Sequence, residues 1–303
     1  MLYLGASPTE ILWKGTKAPV FNRKQLCALL IPLMLEQILA SLMGMADTMM
    51  VSNVGSHAIA AVSLVDSLNI VMINLFSAMA TGGSIICSQY IGRDDLRQAN
   101  ETARQLLLSI TAISLVIGAV CLTLRRPLLS LIFGRVEDSV MENAEVYMLV
   151  TALSFPFLAM YNAGAALFRA SGNSRLPMTV SILSNIINII GNAILIFGLK
   201  MGVLGAAIPT LLGRVFCAVV ILYKLRQPHQ KIIVHDYRAI RPDFKRIGHI
   251  LRIGVPTGVE NSMFQFGKLV IQSTVSTLGT AAIAANAMAA MVEGFVGNAS
   301  VGV

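Results

Sequence analysis

The feature that most restricts this chain is the length of its apolar blocks. A bilayer core takes about 20 residues of helix to cross, and the sequence offers eight blocks of that length, roughly at residues 26–53, 58–88, 103–124, 144–168, 177–198, 202–224, 248–278 and 281–303. Of the 303 residues, 55% are hydrophobic and 13% are charged, whereas soluble domains carry about 25% charged residues. The prediction is an all-α, polytopic membrane protein. Residues 1–25 form a mixed, basic tail with Lys14, Lys17, Arg23 and Lys24, and a short interfacial helix is expected around Trp13. The first apolar block runs too long for a signal peptide and lacks a cleavage site, so it reads as a span.

Charge placement gives the orientation, because Lys and Arg collect in cytoplasmic loops. The tail, the loop with Arg93 and Arg97, the loop with Arg169 and Arg175, and the connection from Lys224 to Arg252 all fall on one side. The other side holds Arg125, Arg126, Arg135 and Lys200, the first three diluted by Glu137, Asp138, Glu142 and Glu145. The chain is therefore expected in a bacterial cell membrane with its amino terminus in the cytoplasm. The net charge of +8 is spread over these loops, which argues against nucleic-acid binding. Cys27, Cys87, Cys121 and Cys217 sit singly in apolar blocks, away from any CxxC or histidine cluster, and read as small packing residues with no metal site implied.

Against that background the polar residues inside the blocks stand out. Ile31 to Gly55 carries Glu36 and Asp47, and a carboxylate in hydrocarbon costs a few kcal/mol, which makes it a functional-site candidate. Eleven residues is close to three helical turns, so both acids share a face, roughly 16 Å apart along the axis. The fifth block holds Ser181, Ser184, Asn185, Asn188 and Asn192 at steps of three and four, one polar stripe on an apolar helix. Its amides can line a cavity, ligate a cation or partner Asp47. The bland alternative is interhelical hydrogen bonding worth about 1 kcal/mol per contact. Asp66 with Asn69, and Asn162 in the fourth block, are further candidates for the same interior. Arg214, Lys268 and Glu293 are charges within spans, and Lys268 is expected to pair with an acid. The 16 methionines suit a promiscuous apolar cavity, although ordinary packing explains them as well.

The chain also repeats itself. An offset of 224 places Pro32 on Pro256, Glu36 on Glu260, Val51 and Ser52 on Val275 and Ser276, Gly55 on Gly279, and Ala58 to Ala61 on Ala282 to Ala285. Six spans lie between the copies, so the repeat is parallel, an arrangement known among transporters. The implied domains are a six-helix lobe at 26–226, a cytoplasmic linker at 227–246 with Pro228 and Pro242 suited to an extended surface connection, and two helices of a second lobe at 247–303. A fragment, a truncated gene and self-association of two chains are all compatible with such a layout. Glu36 and Glu260, each one turn past a helix proline, either face the cleft between lobes or are hydrated near the cytoplasmic ends.

From Leu26 onward the sequence resembles the multidrug and toxic compound extrusion (MATE) transporters. The resemblance rests on PLMLEQILASLMGMADTMMVSNVG in the first span, LFRASGNSRLPM at Leu167 to Met178, and MGVLGAAIPT at Met201 to Thr210. It implies a twelve-helix fold of two six-helix lobes, of which this chain reaches the eighth helix. It further implies that Asp47 is the coupling carboxylate of the amino-terminal lobe, that Asn188 and Asn192 help form the ion site, and that Asn162 lies near another polar ligand. Family members often carry an aspartate where Asn192 stands, which leaves H+ and Na+ both open as the coupling ion, with Na+ held at Asp47.

The functional expectation is a secondary antiporter, not an enzyme, that exports amphipathic or cationic small organic compounds through the lipid bilayer. No nucleotide motif, cofactor or resident metal is called for. A lipid-linked oligosaccharide flippase would need more basic residues in its cavity than Arg214 and Lys268 supply. An inactive or assembling half-transporter is the remaining alternative. HExxH, GxSxG and paired histidines are absent from the spans, which counts against an intramembrane enzyme.

Overall fold

The computed structural model describes residues 23–133, 138–228, 232–234 and 242–276. All regular structure among them is helical: α1 (Arg23–Ser52), α2 (Ser56–Gly92), α3 (Leu96–Thr123), α4 (Arg125–Phe133), α5 (Asp138–Ala170), α6 (Arg175–Asn192), α7 (Val203–Leu225) and α8 (Phe244–Ser276). Six of these stretches are long and apolar enough to cross a membrane: Leu30–Val51, His57–Gly92, Leu96–Thr123, Asp138–Ala170, Arg175–Gly198 and Val203–Leu225. They correspond to the first six predicted spans. The seventh predicted span falls on α8 as far as Ser276, and its last two residues and all of the eighth lie outside the described residues. The short α4 had no counterpart in the hydropathy reading, because nine residues are too few to register as a block.

The core runs along α2 and α5, with Phe76 and Phe155 meeting edge to face at 6.2 Å between ring centres. Phe76, Leu106, Ile110, Leu167, Phe168 and Ile221 are fully enclosed around that axis. Small residues let the helices approach, as expected where lipid removes the hydrophobic drive for association and packing takes over. Pro156 inside α5 has no N–H to offer the carbonyl four residues back, on Ala152. Gly118 of α3 lies against that freed oxygen, so close that a Cβ there would sit 3.3 Å from it. The outer surface is apolar: on α6, Leu183, Ile186 and Ile190 are exposed, opposite the face that carries the buried Asn188 and Asn192. Cys87, Cys121 and Cys217 are free and buried.

On the side reached by α4, Glu145 takes both Arg125 (3.6 Å) and Arg126 (3.4 Å). At the other side, the described part of the connection to α8 departs from the surface path expected of it. Ile232 and Val234 are 1% and 0% exposed, and the Ile233 N–H donates to Asn100 Oδ1 at 2.9 Å. Two apolar side chains in an otherwise basic stretch are enough to draw it in. Asp243 then caps α8: the N–H groups of Lys245 and Arg246 donate to its Oδ1, and Arg246 Nε donates to its Oδ2 at 2.9 Å. The backbone bond from Arg246 is the leading reason that its carboxyl is held below the usual carboxylate range.

The start of α8 packs along α2 at a crossing of small residues. Ala78 and Gly82 meet Gly254 and Gly258, each pair four apart. A Cβ on Gly82 would lie 2.7 Å from the Gly254 nitrogen and 2.8 Å from the Ile250 carbonyl oxygen. One on Gly258 would lie 3.3 Å from Ala78 Cβ.

Candidate functional site

Asp47 sits five residues before the end of α1, facing α6. Asn192 Nδ2 donates to its Oδ1 at 2.6 Å and to Asn188 Oδ1 at 2.9 Å. Asn188 Nδ2 in turn donates to Thr210 Oγ1 of α7 at 3.0 Å, and that hydroxyl donates to the Ala206 carbonyl at 3.1 Å. Asn192 is completely buried, and its Oδ1 has no hydrogen-bond partner. The surroundings suit the Asn188 amide better the other way round. Turned over, its nitrogen donates to Asp47 Oδ1 at 2.9 Å, and its oxygen accepts from Thr210 Oγ1 at 3.0 Å.

Local backbone chemistry puts these groups together. The four-residue step from Asn188 to Asn192 stacks both amides on one face of α6. Immediately after Asn192 the helix widens into a π-helical turn, Ala193–Gly198, a deviation found frequently at functional sites. Close approach of α6 and α7 brings Thr210 within reach: a Cβ on Gly191 would be 2.7 Å from Pro209 Cβ, and one on Gly213 would be 2.7 Å from Ser184 Oγ. Ser184, an expected cavity residue, is thus pressed against α7. Asn185 is half-buried on the same helix.

The other candidates lie apart from this network. Glu36 is 12% exposed in its side chain, and both its oxygens accept from Arg169 Nη2, at 3.0 and 2.9 Å. Tyr161 OH donates to Glu36 Oε1 at 3.2 Å and also lies 3.4 Å from the Pro177 carbonyl. Glu36 and Asp47 do share one face of α1, and that face meets α5 and α6. Asn162, next to Tyr161 on α5, takes no part in the Asp47 network, and its Nδ2 is buried without a partner. Asp66 accepts from Asn69 Nδ2 at 3.1 Å and from Tyr147 OH at 3.3 Å. Glu260 is exposed on α8. The side chain of Lys268 and all of Glu293 lie outside the described set.

Sequence reasoning missed Thr210, Tyr147, Tyr161 and the role of Arg169. A threonine eight residues into an apolar helix carries no signal of its own. Arg169 did carry one: an arginine three residues after the small-residue run Ala163 to Ala166, at a helix end, with an intramembrane acid elsewhere that needed a cation.

The Glu36–Arg169 contact gives a first expected result. Glu36→Leu strands Arg169 and should destabilise the folded chain by about 1–3 kcal/mol, less than a fully enclosed pair would lose because Arg169 is partly hydrated. Adding Arg169→Leu should restore most of the loss. Thermal unfolding of the three variants in detergent checks both; equal stability of wild type and Glu36→Leu would remove the contact from any structural role.

A family model described as MatE matches residues 32–194. The chain is 29% identical over 289 residues to an uncharacterized transporter, YisQ, of Bacillus subtilis, spanning 90% of this chain and 61% of that one. It is 28% identical over 281 residues to a probable multidrug resistance protein, NorM, of Thermotoga maritima, with 89% and 58% covered. The multidrug export protein MepA of Staphylococcus aureus is 24% identical over 277 residues, with 91% and 60% covered. The chain therefore spans about three fifths of the length of these curated relatives. Among solved structures, a MOP superfamily transporter from Pyrococcus furiosus aligns with a TM-score of 0.83 at 24% identity over 92% of this chain and 62% of that one. A variant of the Vibrio cholerae MATE transporter VcmN aligns with a TM-score of 0.84 at 21% identity, over 92% and 63%. These two show likeness of fold.

Proposed function

Because this chain belongs to the MATE family of membrane transporters, matched over residues 32–194, we propose that its six-helix lobe houses the ion-coupling site of a secondary antiporter. The exported compounds are amphipathic or cationic organic molecules, and the exchanged ion is H+ or Na+. The relatives named as multidrug exporters support the substrate class, and positive loop charge supports a cytoplasmic amino terminus.

One observation carries the reading: Asp47 is an acid within a span, bonded to a buried amide and to no cation among the described residues, whereas Glu36 has Arg169. The Asn188 amide supports the reading: its nitrogen or its oxygen can face Asp47, and the charge on Asp47 would choose between them. An ionised Asp47 accepts hydrogen bonds and selects the orientation that turns the Asn188 nitrogen toward it. A protonated Asp47 has an O–H to give and selects the other, with the Asn188 oxygen at the same 2.9 Å position. That flip hands Thr210 from donor to acceptor and so passes the protonation state from α1 through α6 to α7. Sodium would use the oxygens instead, with Asp47, Thr210 Oγ1 and the unpartnered Asn192 Oδ1 as ligands.

Export follows if ion-loaded and ion-free lobes differ in substrate affinity, since a ligand with equal affinity for both states shifts nothing. The flippase reading gains nothing from the geometry, because Arg214 is committed to Ser154 at 2.6 Å. The test is dye movement in proteoliposomes that hold the protein and a fluorescent organic cation, with a pH or a sodium gradient imposed separately. Uptake driven by one gradient and collapsed by dissipating it is the expected result. Movement that ignores both gradients would overturn the proposal.

A further inference from the structure

Away from the Asp47 network, a cleft of about 330 Å³ opens between the end of α2, the start of α3 and the start of α8. Tyr90 of α2, Gln98 and Thr102 of α3, and Lys245, Arg246 and His249 of α8 line it. Asp243 lines it too, but its carboxylate is taken: it holds Arg246 at 2.9 Å and caps α8. That pair cancels in charge, and Lys245 leaves the cleft positive. Among the described residues, neither the Lys245 ammonium nor the His249 ring has an acid partner. Lys245, His249 and Arg252, at steps of four and three, form one exposed basic face of α8. Thr102 gives its hydroxyl proton to the Gln98 carbonyl at 2.8 Å, so toward the cleft its oxygen is an acceptor. With 37 residues, α2 is about 55 Å long, well beyond the roughly 30 Å of a hydrocarbon core. Its polar last turns, with Ser88, Gln89 and Tyr90, therefore stand at the level of the lipid headgroups, beside the first turns of α3 and α8. Apolar side chains are exposed at the same level: Phe244, first in α8, at 80% and Leu96, first in α3, at 42%.

We propose that this cleft binds the headgroup of an anionic phospholipid, with its phosphate on Lys245 and His249 and its hydroxyls toward Tyr90 and Thr102. Basic pockets set between spans at the membrane surface recognise anionic headgroups. A phosphate calls for charged donors that no acid competes for, which Lys245 offers. A hydroxylated headgroup also has protons to give, and Thr102 is placed to take one. Phe244 and Leu96 select a lipid over a dissolved anion, because acyl chains cover exposed apolar surface and an inorganic ion does not. Since α2 and α3 form one wall and α8 the other, a lipid seated here ties α8 to the six-helix lobe. The inference is independent of the role given to Asp47.

Native mass spectrometry of the full chain, released from nanodiscs of equal parts phosphatidylglycerol and phosphatidylcholine, reports which lipid stays bound. Wild type is expected to keep phosphatidylglycerol in clear preference to phosphatidylcholine. Lys245→Gln should lower that retention about five-fold, the factor for one basic residue at an anionic membrane surface, and His249→Gln added to it should lower it further. Arg126→Gln, which removes an exposed charge at the opposite ends of the spans, should retain the lipid as wild type does. Equal retention of the two lipids by wild type, or undiminished phosphatidylglycerol on the double variant, overturns the proposal. So does inorganic phosphate binding to the detergent-solubilised wild type, and not to the double variant, in a chain that shows no lipid preference; the cleft would then belong to a dissolved anion. Both altered residues are exposed, and the choice between lipids by wild type decides the matter even if the double variant fails to fold.

Discussion

Asp47→Asn is expected to bring ion-driven export of a cationic dye to background while leaving membrane insertion intact. The two halves of that outcome have separate causes. Asparagine keeps the shape of aspartate, and its Oδ1 can still accept the bond from Asn192 Nδ2, which stands at 2.6 Å in the native site. The helix tie therefore survives with a neutral bond in place of a charge-assisted one, a loss of about 1 kcal/mol. Coupling has no such remainder. Driving a two-state lobe from one side to the other takes about 5.5 kcal/mol of differential ion affinity, and an amide that neither gains nor loses charge supplies none of it. Efflux from cells with matched amounts of wild-type and variant protein in the membrane decides the matter. Export by the variant within two-fold of wild type would remove Asp47 from the mechanism.

The second large effect is structural. Gly82→Leu should detach α8 from α2, because all three atoms nearest to the new Cβ are backbone: the Gly254 nitrogen at 2.7 Å, the Ile250 carbonyl oxygen at 2.8 Å and the Gly254 Cα at 2.9 Å. No rotamer change relieves a clash with backbone, so the helices must part, and the neighbouring contact of Ala78 with Gly258 goes with them. Overpacking of this kind costs about 3 kcal/mol, and in lipid there is little apolar penalty to press the helices back together. The expected readouts are a lowered unfolding temperature and faster proteolysis in the connection before α8. Gly92→Ala, at a position with nothing within 4 Å, is the matched control and should behave as wild type. A Gly82→Leu protein as stable and as protease-resistant as that control would mean that α8 is not held at this crossing.

How far the sequence could be read depended on the distance over which each signal acts. The helical spans were legible because their cause is local: each block is apolar over its own length. The relation of Asn188 to Asn192, and of Glu36 to Asp47, was legible for the same reason, since the helical period fixes which residues share a face. What those faces meet was not. Arg169 lies 133 positions from Glu36, Tyr147 lies 81 from Asp66 and Thr210 lies 22 from Asn188, and nothing in one segment records the rotation of another. Asn162 has a buried, unpartnered Nδ2 beside Tyr161, a circumstance that its residue type alone does not announce. The small-residue crossing of α2 and α8 was present as AMATG and GVPTG, four-residue spacings that only gain meaning once the helices are seen to cross.

The first helix is fastened differently from its neighbours. Much of its apolar surface faces outward, with Ile31, Leu35, Leu42 and Met49 between 44% and 65% exposed, and two acids on one face tie it to α5 and α6. A rod held by adhesive slides by degrees; a rod held by two pins is either seated or free at each. Because lipid tails accept its leucines as readily as protein does, the proposed coupling would make α1 a lever decided at discrete points, one held by an ion pair and the other by a bond that a single proton would rewrite.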